Sequence, residues 1–418
     1  MNIAPLKERD FSRYDELAGA CGSVFNSAKW LGLFGSRMHA VGIYNMRTHG
    51  PNCSLSRNVA KGIREPVVGM GGRQEAFHLL PSSEHQRWDE FVSACPQGTV
   101  FHTAWWYRAW GIEPRVNVLT DEWGNIKAGV CYAVGRRFGA SVILRPPLTA
   151  LNGPVFDSRC DGGRYKQISH GKRMLFLAIQ SLPKLGGYDF VLRPCDYDVM
   201  PFLWNGFDTV VGYCYRLPWI ERDTWRQSTS TTMRKDLRRA SKEYEDENYT
   251  FDLDPDMEEI LPLIKATADF KDYAGSLAPI LGPGTRFQSW WLAVCEKKAG
   301  SAYLLRDKRG SGLAAIIVVR DRKSVHGIVS GMRLDLRKGS RAYLIAMNRI
   351  IQDAHEMGLN FSFGGSALPG VERSFRSFGA ELQPLYRVVK FPSPIAYMVW
   401  HGYRYWAKHH RRDWIWQD

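Results

Sequence analysis

The chain has 418 residues, 44% of them hydrophobic and 23% charged, with a formal net charge of +14. That is enough apolar material for two cores, and it excludes a disordered or low-complexity protein. The longest apolar stretches, Ala314 to Val319 and Ile395 to Trp400, fall far short of the ~20 residues that cross a bilayer, which excludes an integral helical membrane protein. Charges at Lys7, Glu8, Arg9 and Asp10 stand where a secretory apolar core would lie, so a cytoplasmic location is expected. Eight cysteines (21, 53, 95, 131, 160, 195, 214 and 295) are scattered without a CxxC pair or a Cys/His metal spacing, so reduced thiols and no metal site are expected. The positive charge asks for a polyanionic partner: a nucleotide, a phosphorylated carrier, tRNA or an anionic membrane face.

In chain order the first feature is an internal repeat. Tyr14-Asp15-Glu16-Leu17 with Ala20-Cys21 matches Trp88-Asp89-Glu90-Phe91 with Ala94-Cys95, and Val24 to Trp30 matches Val100 to Trp106. In the second copy Trp88, Phe91, Val92 and Cys95 recur at helical spacing, Ser83 and Gln86 fit a capping box, and Thr103 fits the cap of the next helix. Residues 46–76 are rich in Gly, Asn and Arg and show little periodicity, so only the second copy continues into a domain.

Val116 to Thr120 and Ile126 to Val134 predict a hairpin around Glu122 to Asn125. A strand near Val142 to Arg145, a helix over 165–182, a buried strand Asp189 to Arg193, a short helix 199–205 and a strand 208–218 come after it, the last closing a first round. The second round opens with a charged helix over 224–246, then a strand 249–253 and helices 256–272 and 286–298. Three strands come next, Ala302 to Arg306, Leu313 to Arg320 and Ser324 to Ser330. A helix over 340–357 buries Tyr343, Ala346, Met347, Ile350, Ile351 and Ala354; a strand Asn360 to Phe363, a helix through Phe375 and a strand 384–391 end the round.

Four segments carry a family resemblance: Phe101 to Trp106; Arg234 to Ala240 with Lys242; Phe361 to Ser366; and Ser374 to Ala380. With the twice-repeated order of strand meander, helix, strand, helix and strand, the chain resembles the GNAT superfamily and, within it, the two-unit FemAB-like acyltransferases of the lipid II bridge type. The resemblance implies an α/β (α+β) fold of two GNAT-like domains, each a mixed, largely antiparallel sheet flanked by helices. The organisation expected is a partial duplication and linker over 1–76, a first GNAT-like domain over 77–220, a second over 221–392 and a basic aromatic tail over 393–418. Trp110 and Arg376 stand where the bridge enzymes have lysine.

Arg234, Arg238 and Lys242 share one helix face, and paired guanidinium forks suit a phosphate or pyrophosphate; a solvated face with Arg239 paired to Glu243 and Lys242 to Asp246 satisfies the same pattern. Gly339 and Ser340 open the long helix, where the GNAT signature holds the pyrophosphate of coenzyme A on free helix amides. Gly364 and Gly365 leave a strand end open to close approach, or form a tight turn. The resemblance puts Trp106 at the substrate and the Arg376 cation near the reacting carbonyl or a phosphate. His102, Asp196 and Glu372 are candidate bases, with His102 and Arg376 the catalytic pair expected.

The function that the resemblance implies is that of an acyltransferase moving an acyl or aminoacyl group from acyl-CoA, or from aminoacyl-tRNA, to an amine of a cell-envelope glycan, peptide or lipid-linked precursor. No metal is expected to take part. The C-terminal mixture of Trp400, Tyr403, Tyr405, Trp406, Trp414 and Trp416 with Arg404, Lys408, Arg411 and Arg412 suits peripheral contact with the inner membrane face, or a docked terminal helix. A non-catalytic nucleic-acid-binding protein and an inactive GNAT-like scaffold are the competing readings.

Overall fold

The computed structural model describes residues 77–137, 139–160, 162–193, 198–219, 225–270, 280–281, 286–337, 340–365, 369–393, 396–398 and 402. By contact density the chain divides into Met1–Lys61 and Gly62–Asp418, and every described residue belongs to the second unit. The first copy of the repeat, Asp196, Gly339 and the aromatic and basic residues from Trp400 onward, Gly402 apart, lie outside the described residues.

The described chain opens with β1 (His78–Leu79), and helix α1 (His85–Ala94) buries Trp88 and Val92 as its periodicity requires. The expected Ser83/Gln86 box is not made. Glu84 N–H bonds Pro81 O at 2.9 Å, which turns Ser82–Glu84 into a 3-10 segment and delays the helix to His85, while Gln86 reaches forward to Glu90 at 3.0 Å. Thr103 does precede α2 (Ala104–Ala109), but its hydroxyl donates to Val100 O at 2.7 Å, and the Ala104 amide is met by the Asp89 carboxylate at 2.6 Å.

A first sheet runs in the order β1, β2 (Arg115–Thr120), β3 (Ile126–Arg137) and β4 (Ala140–Leu144), with β5 (Val155–Phe156) also on β3. The predicted β2–β3 hairpin is present, closed where Asp121 accepts from the Trp123 and Asn125 amides. Helix α3 (Arg164–Gln180) leads to β6 (Tyr188–Leu192), then α4 (Met200–Trp204) and β7 (Asp208–Leu217). β4 meets the approach to β6 through a single parallel bridge, Val142 to Gly187, with Ile143 N–H on Gly187 O at 3.0 Å.

The predicted 224–246 helix is two helices, α5 (Trp225–Ser228) and α6 (Thr231–Asp246). Ser230 breaks it: its N–H donates to Ser377 O at 2.9 Å and its Oγ caps α6 by accepting from Met233 N–H at 3.1 Å. Then come β8 (Thr250–Leu253), α7 (Met257–Phe270), α8 (Arg286–Glu296), β9 (Gly300–Arg306), β10 (Gly312–Arg320), β11 (Ser324–Met332), α9 (Ala342–Glu356), β12 (Asn360–Gly364), α10 (Pro369–Ser377) and β13 (Glu381–Lys390). The fold is the expected mixed α/β arrangement, with the order of the first round repeated in the second.

The two rounds trade their last strands. The second sheet has eight strands in the order β6-β13-β7-β12-β11-β10-β9-β8. β7, expected to close the first round, pairs instead with β12 and β13, while β13 pairs with both β7 and β6. The β13–β7 ladder runs through nine residue pairs, from Glu381/Arg216 to Val389/Asp208, and a buried ion pair from Arg387 Nε to Asp189 at 2.9 Å ties β13 to β6.

β11 and β12 are parallel and pair only through Ser324/Asn360, Val325/Phe361 and His326/Ser362. Beyond that they part, and the register gives the cause. Val318 of β10 faces Gly327 while Ile317 faces Val329, so Ile328 is an extra residue that bulges β11; β12 has its own irregularity between Ser362 and Gly364. A bulge bends and twists its strand, here just where the ladder ends.

The sheet separates two cores. On one face Tyr215, Leu217, Phe361 and Phe363 pack with α6, α9 and Phe375 of α10. On the other, α1, α2, α7 and α8 meet in an aromatic cluster, where Trp106 lies edge-on to Trp290 at 5.5 Å and Trp110 stacks on Trp290 at 5.2 Å. Trp110 is 2% exposed, so where the bridge enzymes have lysine this chain has a core residue.

Candidate functional site

Alternation along the strands sends Cys214 and Arg216 of β7, Ser362 and Gly364 of β12, and Ser324 and His326 of β11 away from the α9 core. They line a cavity of about 120 Å³ with Gly365, Gln383, Leu385, Arg193 and the connection Arg145–Leu151. The cavity sits at the parting of β11 and β12. Cavities that house a whole small molecule run to ~300–1,000 Å³, so this one fits a reacting group rather than a complete substrate.

His326 is 8% exposed and its Nε2 lies 3.0 Å from Asp321 Oδ2. Asp321 also accepts from the amides of Lys323 at 2.9 Å and Ser324 at 3.0 Å. Burial alone would raise the Asp321 carboxyl, but the hydrogen bond from His326 and the two amides outweigh it and hold it below the usual carboxylate range. An ionised carboxylate can only accept, so Nε2 carries a proton, and the tautomer this selects has its lone pair on Nδ1. Phe101 fixes the ring from the side at 5.0 Å, and Lys323 anchors the turn by donating to the carbonyls of Cys95, Pro96 and Gly98. A carboxylate-held imidazole with a free lone pair is the arrangement of a general base. Arg216 adds a donor: its Nε is buried without a hydrogen-bond partner among the described residues.

Of the residues expected from sequence, Gly364 and Gly365 line this cavity. Gly364 has φ +72° and open space where a Cβ would stand, so glycine is required there by conformation rather than by crowding. His102 lies behind the cavity, 3% exposed, with Nδ1 held 2.8 Å from Thr99 Oγ1; burial, with the Arg193 charge, pushes its pKa down to about 3, so the ring is neutral. Trp106 is wholly buried and reaches the cavity wall only by donating to Thr149 Oγ1 at 2.8 Å. Arg376 is on α10, over the opposite face of the sheet, and pairs with Glu372 at 3.3 Å, so the structure does not bring His102 and Arg376 together. Glu372 also accepts from the Tyr215 hydroxyl.

Arg234, Arg238 and Lys242 form the expected row, all exposed on α6. Arg239 and Glu243 are not paired with each other. Arg239 lies 3.7 Å from Asp236, and Glu243 reaches across to the head of α9, accepting from Ser340 Oγ at 2.8 Å, from Arg341 N–H at 3.0 Å and, at 3.4 Å, from the Arg341 guanidinium. A pyrophosphate would need those same donors. A carboxylate is already on them.

Sequence reading missed Asp321, His326 and Arg216. A cue existed for the histidine: Ser324 and His326 are polar positions two apart in a strand otherwise bound for the core, and both are buried. A second, larger hollow of about 430 Å³ lies between α1 and the β10–β11 turn, lined by Asp89, Thr99, Lys297, Arg320 and Asp321 among others. Its Asp89 is committed to the head of α2.

Residues 231–372 match the family model of the acetyltransferase (GNAT) domain. Among solved structures the chain is similar to FemX, at 12% identity and a TM-score of 0.56, over 74% of this chain and 96% of that one. It is also similar to L-PGS from Bacillus licheniformis (17% identity, TM-score 0.45, 78% and 97% covered) and to a tandem GNAT protein from the clavulanic acid biosynthesis pathway (11%, 0.41, 77% and 99%). No curated protein matches the chain.

Proposed function

We propose that this chain, which has the GNAT fold in its FemAB-like form, is an acyltransferase that moves an acyl or aminoacyl group to an amine of a cell-envelope glycan, peptide or lipid-linked precursor. The observation that carries the reading is the opening between β11 and β12, where Gly364, Gly365, Arg216 and the Asp321-held His326 share one cavity. In the reaction the amine nitrogen bonds to the carbonyl carbon of an activated ester or thioester, and its proton passes to His326 Nδ1. The orphan Nε of Arg216 is a donor for the developing oxyanion. As the tetrahedral centre collapses, the ester C–O bond, or the C–S bond of a thioester, breaks, and the leaving oxygen or sulfur takes the proton from His326. His102 and Trp106 support the cavity from behind, and Arg376 offers a cation on the far side of the sheet.

Two donors are compatible with the fold, acyl-CoA and aminoacyl-tRNA. The occupied head of α9 and the exposed row of Arg234, Arg238 and Lys242 favour the second, whose phosphates would lie along the outside of α6. The same reading places the chain at the cytoplasmic face of the inner membrane when its acceptor is lipid-linked.

A melting-temperature panel of acyl-CoAs and aminoacyl-tRNAs tests this. At least one donor should raise the melting temperature by several degrees at saturation, and Arg234→Ala with Arg238→Ala should abolish most of that rise while leaving the unliganded melting temperature within about a degree. No rise with any donor would count against acyl transfer, and a rise with uncharged generic RNA alone would favour the non-catalytic reading.

A further inference from the structure

The donors at the head of a helix as long as α9 are a ready anion site, because the first amides have no partner within the helix. Here the first two, with the Ser340 hydroxyl beside them, are already engaged. Both oxygens of Glu243 lie on the Arg341 amide, at 3.0 and 3.2 Å, Ser340 Oγ donates to the first of them, and the Ala342 amide turns to Ser340 Oγ at 3.1 Å. Glu243 is not a surface residue that wandered in. Its side chain is 15% exposed, and α6 holds it in place through Leu237 and Ala240, buried in the same core as Ala342 and Ile345 of α9. The contact joins positions 97 and 98 residues apart, so it is a feature of the tertiary fold rather than of a local turn.

We infer that Glu243 is a built-in occupant of the anion site at the head of α9, and that the second GNAT-like unit therefore does not receive a diphosphate there. A planar carboxylate presents two oxygens to the amide and the hydroxyl much as a phosphate would. A diphosphate entering from solvent would have to displace it or sit beside a like charge in a part-buried position, where repulsion is poorly screened. The cations of α6 that a phosphate could still use, Arg234, Arg238 and Lys242, are exposed to solvent. The inference bears on the donor of the proposed reaction, but the occupancy of the helix head does not depend on that reaction being right.

The test compares the full chain with Glu243→Gln and Glu243→Ala, using inorganic pyrophosphate and coenzyme A as probes and backbone hydrogen exchange as the readout. In the wild-type chain neither probe should protect the amides of residues 340–345 at millimolar concentration. In the variants pyrophosphate should protect them and bind at least tenfold more tightly than to wild type. Protection of these amides by either probe in the wild-type chain would overturn the inference, and so would two folded variants that gain no pyrophosphate binding. Failure of the donor panel with a gain of pyrophosphate binding in the variants would sink the acyltransferase reading and leave this one standing.

Discussion

Replacing His326 by Gln is expected to slow acyl transfer by about 10²–10⁴-fold, measured with whichever donor raises the melting temperature, while that rise itself is preserved. Gln keeps a donor for Asp321 and much of the ring's volume, but it cannot take a proton from an amine. Asp321→Asn should give a smaller loss and a changed pH profile. The carboxylate, buried and held by His326 and two amides, fixes which nitrogen is protonated, and an amide in its place can donate and let the imidazole turn over. If the Gln variant transferred at the wild-type rate, His326 would be a packing residue under Phe101, and the proton would leave by another route.

Trp290→Ala should destabilise the described unit by ~3–5 kcal/mol in urea unfolding, the range for deleting a large buried aromatic side chain. The reason lies in its position. Trp290 is wholly buried on α8 and touches Trp106, Trp110, Phe287 and Trp291, so its ring lies between the helix pair of the first round and the sheet of the second. Collapse around the void would have to move α2 against α8, and α2 is held from the other side by Asp89 on the Ala104 amide. A cost below about 1 kcal/mol would mean that the two rounds are held together chiefly by the exchanged strands.

The elements themselves were legible because their cues are local. Alternation around the Asp121 turn gave the β2–β3 hairpin, and helical spacing gave the buried face of α9 almost residue for residue. The strand exchange was not legible, since β7 and β13 look alike as strands and nothing in either names its partner. The site divides in the same way. Gly364 and Gly365 were readable as a place where side chains are missing, and both line the cavity. Glu243 read as a partner for Arg239 on a solvated helix face, because its true contacts are at Ser340 and Arg341, far along the chain. His102 and Trp106 drew attention as an aromatic motif, and the structure makes them parts of the packing around the cavity instead.

In the proposed reaction the acyl carbonyl enters where β11 and β12 part. Hydrogen exchange with and without a saturating donor tests it most directly. Slowed exchange at 326–328 and 362–365, with the ladder at 208–217 unchanged, is the result the fold requires. Slowed exchange confined to the first sheet, at 115–137, would place the donor somewhere else and contradict it.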